Sequence, residues 1–165
     1  MGADISVENQ REIGGEPVGD LRVRSAPLRG IEVPPHLVPL AIDEFPVLFV
    51  AAACALGRTV VTGAEELRVK ESDRIAVMAE GLQALGIGAV PAPDGMIIDG
   101  KGPQAVIFEA GEVESKGDHR IAMAFAMAAT RSAGAIRIHD TVNVATSFPG
   151  FVGLAGTAGL QVQEV

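Results

Sequence analysis

The sequence predicts one domain of mixed α/β (α+β) structure, and three observations lead to that prediction. Short runs of alternating apolar residues, typical of β-strands, are interspersed with longer stretches whose apolar residues recur at helical spacing. Glycine and proline, with 20 and 10 copies, fall at the joins between these stretches. The 165 residues are 48% hydrophobic, which suffices for a buried core and excludes a disordered protein.

The predicted elements follow one another along the chain. The strand-like runs are ADISVE, DLRVRS, RTVVTG, MIIDG, AIRIHD and LQVQEV. The helical patterns cover 44–57, 73–85, 119–131 and about 149–159. Strands that alternate with helices in this way are typical of α/β architecture rather than of separate all-α and all-β parts.

An internal repeat organises these elements. Three pairs of positions are each separated by 75 residues: Asp43 and Asp118, Val69 and Val144, and Leu85 and Leu160. Each copy reads as a strand, a loop, an aspartate-led helix, a strand, a loop and a second helix. We therefore interpret 1–165 as a partial domain with one copy over about 1–85 and another over about 86–165.

The net charge of −8 argues against nucleic acid as a partner, because a phosphate backbone requires a basic face. The chain also lacks tryptophan and tyrosine, the usual base-stacking side chains. No apolar run is long enough to cross a bilayer, so no membrane partner is expected. An acidic protein that binds an anion must collect its cations locally, and RVKESDR at 68–74 and KGDHR at 116–120 are two such places.

The cysteine and histidine positions bear on location and cofactors. Cys54, the single cysteine, lies in the apolar run VLFVAAACAL and is predicted to be a core thiol. One cysteine cannot form an internal disulfide and fits a reducing, cytoplasmic location. His36, His119 and His139 show no metal-ligand spacing and no cysteine partner, so a zinc site is not predicted. Only His119 is placed near a site.

Four predicted helix starts carry unusual residues. In AIDEFPV, Asp43 is predicted to cap a helix whose first turn contains Pro46. RVKESDRI is the second start, and KGDHRIAM, with Asp118 as its cap, is the third. VATSFPGF is the fourth, with Thr146 and Ser147 before a proline. Helix N-termini expose unpaired N–H groups and therefore suit phosphates and carboxylates.

Arg74 and Arg120 each stand in a predicted first turn, where the helix dipole disfavours a cation. One interpretation is an Arg–Asp pair that completes the cap and contributes little at the surface. The other is a pair of arginines that converge on one anion and hold it with fork geometry. Two arginines at equivalent helix starts favour the second interpretation, provided that those starts face one end of the sheet.

Four segments carry a resemblance to a known family: RVKESDRI, GDHRIAMAFAMAA, DEFPVLFVAAACALG and ATSFPGF. They strongly resemble the EPSP synthase family of enolpyruvyl transferases. The resemblance runs from about Met1 to the C-terminus, and RVKESDR followed by GDHR is its most specific part. UDP-N-acetylglucosamine enolpyruvyl transferase shares the architecture but is expected to differ in these segments.

The resemblance implies two globular domains, each an inverse α/β barrel of three βαβαββ units, with the ligands bound in the cleft between them. This chain looks like the C-terminal part, with about two of the three units of one domain. MGADISV resembles LGIGAV, the end of a helix followed by a glycine cap and a strand, so an earlier portion is expected to precede it. The implied protein partner is the missing N-terminal domain, whose lysine-bearing segment helps to hold both substrates.

The resemblance also implies a reaction in which the 5-hydroxyl of shikimate 3-phosphate adds to phosphoenolpyruvate and phosphate leaves. Asp43 matches the general base, which also contacts the shikimate hydroxyls. Lys70 and Glu71 match the pair that handles substrate binding and proton delivery. Arg74 and Arg120 match the pair that clamps the carboxylate and phosphate of phosphoenolpyruvate. No metal or organic cofactor is required.

Two positions depart from the family pattern. Thr146 stands where many members carry a lysine, and Glu66 stands where some carry an asparagine, so neither is assigned to the site. Two functions remain open: part of an enolpyruvyl transferase that is inactive alone, or a non-catalytic anion-binding or interaction module derived from the same family. The intact motifs favour the first function, and the missing domain favours the second for the chain acting alone.

Overall fold

The computed structural model describes residues 1–163 and confirms the mixed α/β class. The strands are β1 (Asp4–Ile13), β2 (Glu16–Arg24), β3 (Leu56–Val61), β4 (Gly88–Ala92), β5 (Gly95–Lys101), β6 (Gly111–Glu114) and β7 (Ile136–His139). The helices are α1 (Phe45–Ala53), α2 (Arg74–Ala84), α3 (His119–Ala128), α4 (Val142–Ser147) and α5 (Phe151–Thr157). Short 3₁₀ turns occupy Pro35–Leu37, Pro39–Glu44, Glu65–Val69 and Ala129–Arg131. Within 1–163, no helix has the length and apolar character needed to span a bilayer.

The strands form three small sheets. β1 and β2 make an antiparallel hairpin, β3, β5 and β4 make an antiparallel sheet in that order, and β6 and β7 pair in parallel. Parallel bridges from Arg29 to Leu56 and from Glu32 to Val60 extend the free edge of β3. Both the β3 edge and the β6–β7 pair therefore join parallel segments that a helix connects, as α/β crossovers require.

Helices α1, α2 and α3 form the centre of the molecule. The sequence of α1, FPVLFVAAA, is apolar on nearly all sides, so this helix is buried against its neighbours rather than placed at the surface. The β3–β5–β4 sheet packs on α1 and α2, and the β6–β7 pair packs on α2 and α3. The large side chains buried between the helices are Phe45, Phe49, Ile75, Met78, Leu82, Ile121 and Phe125. Each contributes about 1.5–3 kcal/mol by leaving water.

Gly81 sets the close approach of α2 and α3. A Cβ atom at this position would collide with the ring of Phe125 on α3. The bare backbone of Gly81 therefore admits the aromatic ring, at the cost of the weaker helix propensity of glycine. The two helices pack so that Arg74, at the start of α2, contacts Asp118, which immediately precedes α3.

The start of α1 differs from the sequence-based prediction. The helix covers Phe45–Ala53 rather than 44–57, with Pro46 in its first turn as predicted. Asp43 does not cap it: Glu44 takes the N-cap position, with no side-chain hydrogen bond to the helix. The reason is that Asp43 lies inside the Pro39–Glu44 turn, which runs directly into α1, so its carboxylate is directed elsewhere.

The fourth predicted helix start is also corrected. Thr146 and Ser147 lie at the end of α4, not at the start of the helix that follows. Phe148 leaves the helical conformation, with φ −145°, because a residue before proline is disfavoured in the α region. The predicted helix at 149–159 is found as α5, whereas α4 was not predicted.

The last predicted strand, LQVQEV, is not found in the described part of this segment. Residues 160–163 carry no strand, and the final two residues lie outside the described range. The glycine that precedes this segment behaves as a helix terminator: Gly159 has φ +93°, and Gly86 after α2 has φ +77°. The division into copies at 1–85 and 86–165 remains a proposal.

Candidate functional site

The starts of α1, α2 and α3 meet, and the charged side chains around them form one network. We call this network the helix-start cluster. Its members are Asp43, Glu44, Glu66, Lys70, Glu71, Arg74, Asp118 and Arg120. All five sequence-predicted site residues belong to it, although they come from segments up to 77 residues apart.

Arg74 is the centre of the cluster and is only 1% exposed. Its Nε donates to Asp118 Oδ2 at 2.8 Å, one terminal nitrogen donates to Asp43 Oδ1 at 3.0 Å, and the other donates to Glu71 Oε2 at 2.5 Å. Burial alone would lower the pKa of the Arg74 guanidinium, but the hydrogen bond to Asp118 and the surrounding carboxylates raise it above its usual value. A buried cation requires such partners, since an unpaired one is strongly destabilising.

Asp118 is the fully buried partner of Arg74, and its predicted capping role is confirmed. Its Oδ1 accepts from the backbone N–H of Arg120 at 2.9 Å and from that of Ile121 at 3.4 Å. Its Oδ2 accepts from Arg74 and, at 3.2 Å, from the hydroxyl of Ser72. The carboxylate therefore bonds to the starts of two helices, α2 and α3.

The Arg–Asp pairing at the start of α2 was only partly predictable. The adjacent acid, Asp73, caps α2 through Ala76 N and pairs with Arg68 at 2.7 Å on the surface. Arg74 instead reaches across to Asp118 on the other helix. Because the chosen partner is distant in sequence, the local motif could not identify it.

Lys70 is held at the edge of the cluster by two acids. Its Nζ donates to Glu66 Oε1 at 2.5 Å and lies 3.5 Å from Asp43 Oδ1. The hydrogen bond with Glu66 raises the pKa of Lys70, and together with the charge of Asp43 it outweighs the opposing effect of burial. Sequence reasoning left Glu66 out of the site, although its spacing of four residues from Lys70 is the signal of an ion pair.

Arg120 connects the starts of α3 and α1. Its terminal nitrogen donates to the backbone carbonyl of Asp43 at 2.9 Å and to Glu44 Oε1 at 2.8 Å. Glu44 was not predicted as part of the site. No local pattern could have identified it, because the two residues are 76 positions apart and meet only when α1 packs on α3.

Asp43 contacts both Arg74 and Lys70, and its side chain is 46% exposed. Burial raises the pKa of its carboxyl, but the hydrogen bond from Arg74 and the charges of Lys70 and Arg120 outweigh that effect and lower the pKa below its usual value of 3.8. The group is therefore ionised at neutral pH. It can accept a proton, although a low pKa makes it a weak base while its cations remain unneutralised.

Other residues of interest lie outside the cluster. Thr146 and Ser147 are exposed at the end of α4, and His119 is half-buried at the first position of α3. Two cavities, of about 210 and 590 Å³, are lined by other parts of the fold. Over residues 1–163, no group of three or more His, Cys, Asp or Glu side chains is arranged to hold a metal ion.

The charge of the cluster limits what it can bind by itself. Three cations, Lys70, Arg74 and Arg120, face five carboxylates, which leaves a formal charge of −2. An incoming carboxylate or phosphate must therefore replace one of these acids on a cation, or be held by further cations from elsewhere.

The fold is one that a solved enolpyruvyl transferase also adopts. The structure superposes on the enolpyruvyl transferase NikO from Streptomyces tendae with a TM-score of 0.67, over 98% of this chain and 34% of that chain. At 20% sequence identity this likeness shows the fold alone. Central helices flanked by small sheets are thus the architecture shared by the two proteins.

A narrower assignment follows from sequence. The family model for EPSP synthase (3-phosphoshikimate 1-carboxyvinyltransferase) matches residues 1–154, and the chain belongs to this family. The resemblance inferred from the motifs is thereby confirmed.

Individual relatives agree with this assignment. The 3-phosphoshikimate 1-carboxyvinyltransferase of Alkalilimnicola ehrlichii is 70% identical over 160 residues, 97% of this chain and 35% of that protein. The protein of the same name from Methylococcus capsulatus is 63% identical over 99% of this chain and 36% of its own length. A solved EPSP synthase from Acinetobacter baumannii superposes with a TM-score of 0.95 at 57% identity, over 99% of this chain and 38% of that one. The chain thus spans little more than a third of these relatives.

Proposed function

We propose that this chain is the C-terminal portion of an EPSP synthase. The complete enzyme transfers the enolpyruvyl group of phosphoenolpyruvate to the 5-hydroxyl of shikimate 3-phosphate, giving EPSP and phosphate. The observation that carries the proposal is the meeting of three helix starts, which gathers acids and cations of the family motifs into one hydrogen-bonded cluster. Acids and cations within hydrogen-bond reach of one another are what proton transfer on a polyanionic substrate requires.

Asp43 is proposed as the general base that takes the proton of the 5-hydroxyl. Its carboxylate is half exposed and ionised, so a hydroxyl can approach it. Its lowered pKa is a property of the ligand-free cluster. When anionic substrates neutralise Lys70 and Arg120, the pKa of Asp43 rises and the group becomes a more effective base.

Glu71 is proposed as the group that delivers a proton to the methylene carbon of phosphoenolpyruvate. The adjacent Lys70 is proposed to bind substrate. Glu71 now accepts a hydrogen bond from Arg74 and is exposed on its other side. Release from Arg74 allows Glu71 to take up the proton that it must donate. An anionic substrate supplies that release by binding to the same guanidinium edge.

Arg74 and Arg120 are proposed to hold the carboxylate and phosphate of phosphoenolpyruvate. The terminal nitrogens of Arg74 point toward Asp43 and Glu71, the exposed side of the cluster. Arg120 is about one third exposed and bonds to Glu44, an exposed acid that an anion can replace. Two guanidinium groups offer the fork geometry that matches both oxyanions.

The remainder of the enzyme is the proposed protein partner, and the proposed location is the cytoplasm. The formal charge of −2 on the cluster supports the need for further cations when two phosphorylated substrates bind. The chain alone is therefore expected to be inactive. No metal or organic cofactor enters the proposed reaction.

A second candidate is a non-catalytic anion-binding or interaction module of the same family. The observation that favours it is the partial exposure of two cations of the cluster, Lys70 and Arg120, which an anion can reach. Such a module would bind a phosphorylated acid by itself and would not need the rest of an enzyme.

Phosphate release tests the two functions. The chain is incubated with phosphoenolpyruvate and shikimate 3-phosphate, alone and with the complementary N-terminal portion of the Alkalilimnicola ehrlichii relative. We expect no turnover alone and turnover with the complement, which Asp43→Asn abolishes. Turnover by the chain alone would contradict the expected inactivity. Calorimetric binding by the chain alone, with no turnover in the complemented mixture, would support the module instead.

A further inference from the structure

Asp118 accepts more hydrogen bonds than a helix cap requires. Asp73 shows what a simple cap does here: one oxygen accepts from Ala76 N, and the other pairs with Arg68 at the surface. Asp118 caps α3 with Oδ1 in the same way, but its Oδ2 accepts from Arg74 Nε at 2.8 Å and from Ser72 Oγ at 3.2 Å. The second set of bonds lies in the interior, where the carboxylate is 0% exposed.

The bond to Nε determines how Arg74 is oriented. A guanidinium group is planar, so fixing its Nε side fixes the directions of both terminal nitrogens. One of these nitrogens then meets Asp43 and the other meets Glu71. The position of Asp118 thus sets the separation of two acids that it does not touch.

The same carboxylate also places Arg120. By accepting from the N–H groups of Arg120 and Ile121, Oδ1 fixes the first turn of α3. The side chain of Arg120 leaves that turn toward the carbonyl of Asp43. Both arginines of the cluster are therefore oriented by one buried acid.

We propose that Asp118 is a positioning residue, supported by Ser72, which orients Arg74 and Arg120 and thereby fixes the geometry between Asp43 and Glu71. This inference rests on the proposed function, because its consequence is measured in the transferase reaction. Asp118 acts through the two arginines and makes no contact with the substrates.

The test uses a complete enzyme in which this chain replaces the matching 160-residue segment of the Alkalilimnicola ehrlichii relative. Asp118→Asn keeps the size and the capping oxygen but presents an amide N–H₂ group to the donors of Arg74 and Ser72. We expect kcat per folded enzyme to fall by about 100-fold, because a small misplacement of reacting groups has that effect. KM for phosphoenolpyruvate should rise as well, because the two misplaced arginines are the groups proposed to hold it, whereas KM for shikimate 3-phosphate should change by less than about 3-fold.

Asp73→Asn is the matched control. It makes the same substitution at the neighbouring helix cap, which does not contact Arg74, so kcat is expected to stay within about 2-fold of the parent enzyme. A double-mutant cycle gives the second readout. In an Arg74→Lys background, Asp118→Asn should lower kcat by less than about 3-fold, because the residue through which it mainly acts is already altered.

Three results would overturn the positioning role: an unchanged kcat in Asp118→Asn, equal losses in both aspartate variants, or full additivity with Arg74→Lys. If Asp118→Asn does not fold, Ser72→Ala decides, since it removes only the hydroxyl bonded to Oδ2 and should still lower kcat by about 2- to 5-fold. A folded parent enzyme without phosphate release would overturn the proposed function itself. An active parent with active variants would overturn only the inference about Asp118.

Discussion

Nε of Arg74 lies 2.8 Å from Oδ2 of Asp118, although 44 residues separate the two in sequence and neither side chain is more than 1% exposed. A buried ion pair of this kind stabilises the fold little more than a well-packed apolar pair would, because both charges lose their hydration. Removing one partner is strongly destabilising, because the remaining charge stays buried without a partner. The pair therefore links α2 and α3 in one specific arrangement.

The first prediction concerns this ion pair. Arg74→Met removes the guanidinium and leaves Asp118 buried with fewer charged partners, so we expect the free energy of unfolding to fall by about 3–5 kcal/mol. Urea unfolding followed by circular dichroism measures the change. Arg58→Met is the control, because Arg58 makes a two-point contact with Asp99 that is exposed to solvent. Similar losses in the two variants would refute the importance of burial.

The second prediction concerns the contact between α2 and α3. Gly81→Ala places a Cβ against the Phe125 ring, and the resulting overpacking should destabilise the fold by about 1–3 kcal/mol. Gly153→Ala in α5 is the matched control, since nothing lies within 4 Å of a Cβ at that position. The control should gain stability by about 0.5–1 kcal/mol, because alanine is the better helix former. Thermal melts of both variants compare the two effects, and a stabilised Gly81→Ala would show that the helices do not pack this closely.

The third prediction concerns acid. The pKa of Asp43 is lower in the folded chain than its usual value of 3.8, so the unfolded chain binds this proton more readily. Its contribution to stability is therefore complete above the unfolded pKa and is lost as the pH falls through the folded pKa. Asp43→Asn removes that contribution, which is below about 1 kcal/mol for so exposed a group.

Urea unfolding between about pH 5 and pH 2 tests this dependence. The unfolding free energy of Asp43→Asn should decline less steeply over that range than that of the parent chain. Parallel declines in the two proteins would mean that Asp43 does not contribute to acid sensitivity. Asp99→Asn serves as a comparison, because Arg58 also lowers the pKa of Asp99 but at a site remote from the cluster.

The fourth prediction concerns the β1–β2 hairpin. One face carries exposed apolar side chains, in which Ile5 pairs with Val23 and Val7 with Leu21. Such a face favours association, so we expect sedimentation of the chain to show concentration-dependent oligomers. Val7→Lys should reduce them, whereas Ser6→Lys, on the opposite face, should not. A monomer with a sharp, cooperative melt would contradict the prediction.

The fifth prediction concerns the single thiol. Cys54 is half-buried at the end of α1 and packs against the core. Burial raises its pKa, despite an opposing effect of Arg131, so the thiol stays protonated at neutral pH. Alkylation should be slow in the native chain and should reach the rate of a free thiol in denaturant. Equal rates in the two states would place Cys54 in solvent.

Local patterns predicted most of the framework. The runs DLRVRS and MIIDG overlap strands, and the predicted helices 73–85 and 119–131 agree with α2 and α3 to within a few residues. Strand β6 was missed, because only Val113 in its four residues is buried and the strand is defined by pairing with β7. Pairing of this kind leaves no periodic signal in so short a segment.

By itself, the sequence determined where α2 and α3 begin, that α1 would be buried and which family the chain resembles. These properties depend on neighbours within a few residues, such as the Asp118 cap or the apolar run of α1. Only the tertiary structure decided that Asp43 would leave its helix cap to meet Arg74, and that Glu44 and Glu66 would join the cluster. The physical reason is that the strength of an ion pair depends on the distance between the charges and on their burial. Both are determined by how the helices pack, not by the neighbouring residues in sequence.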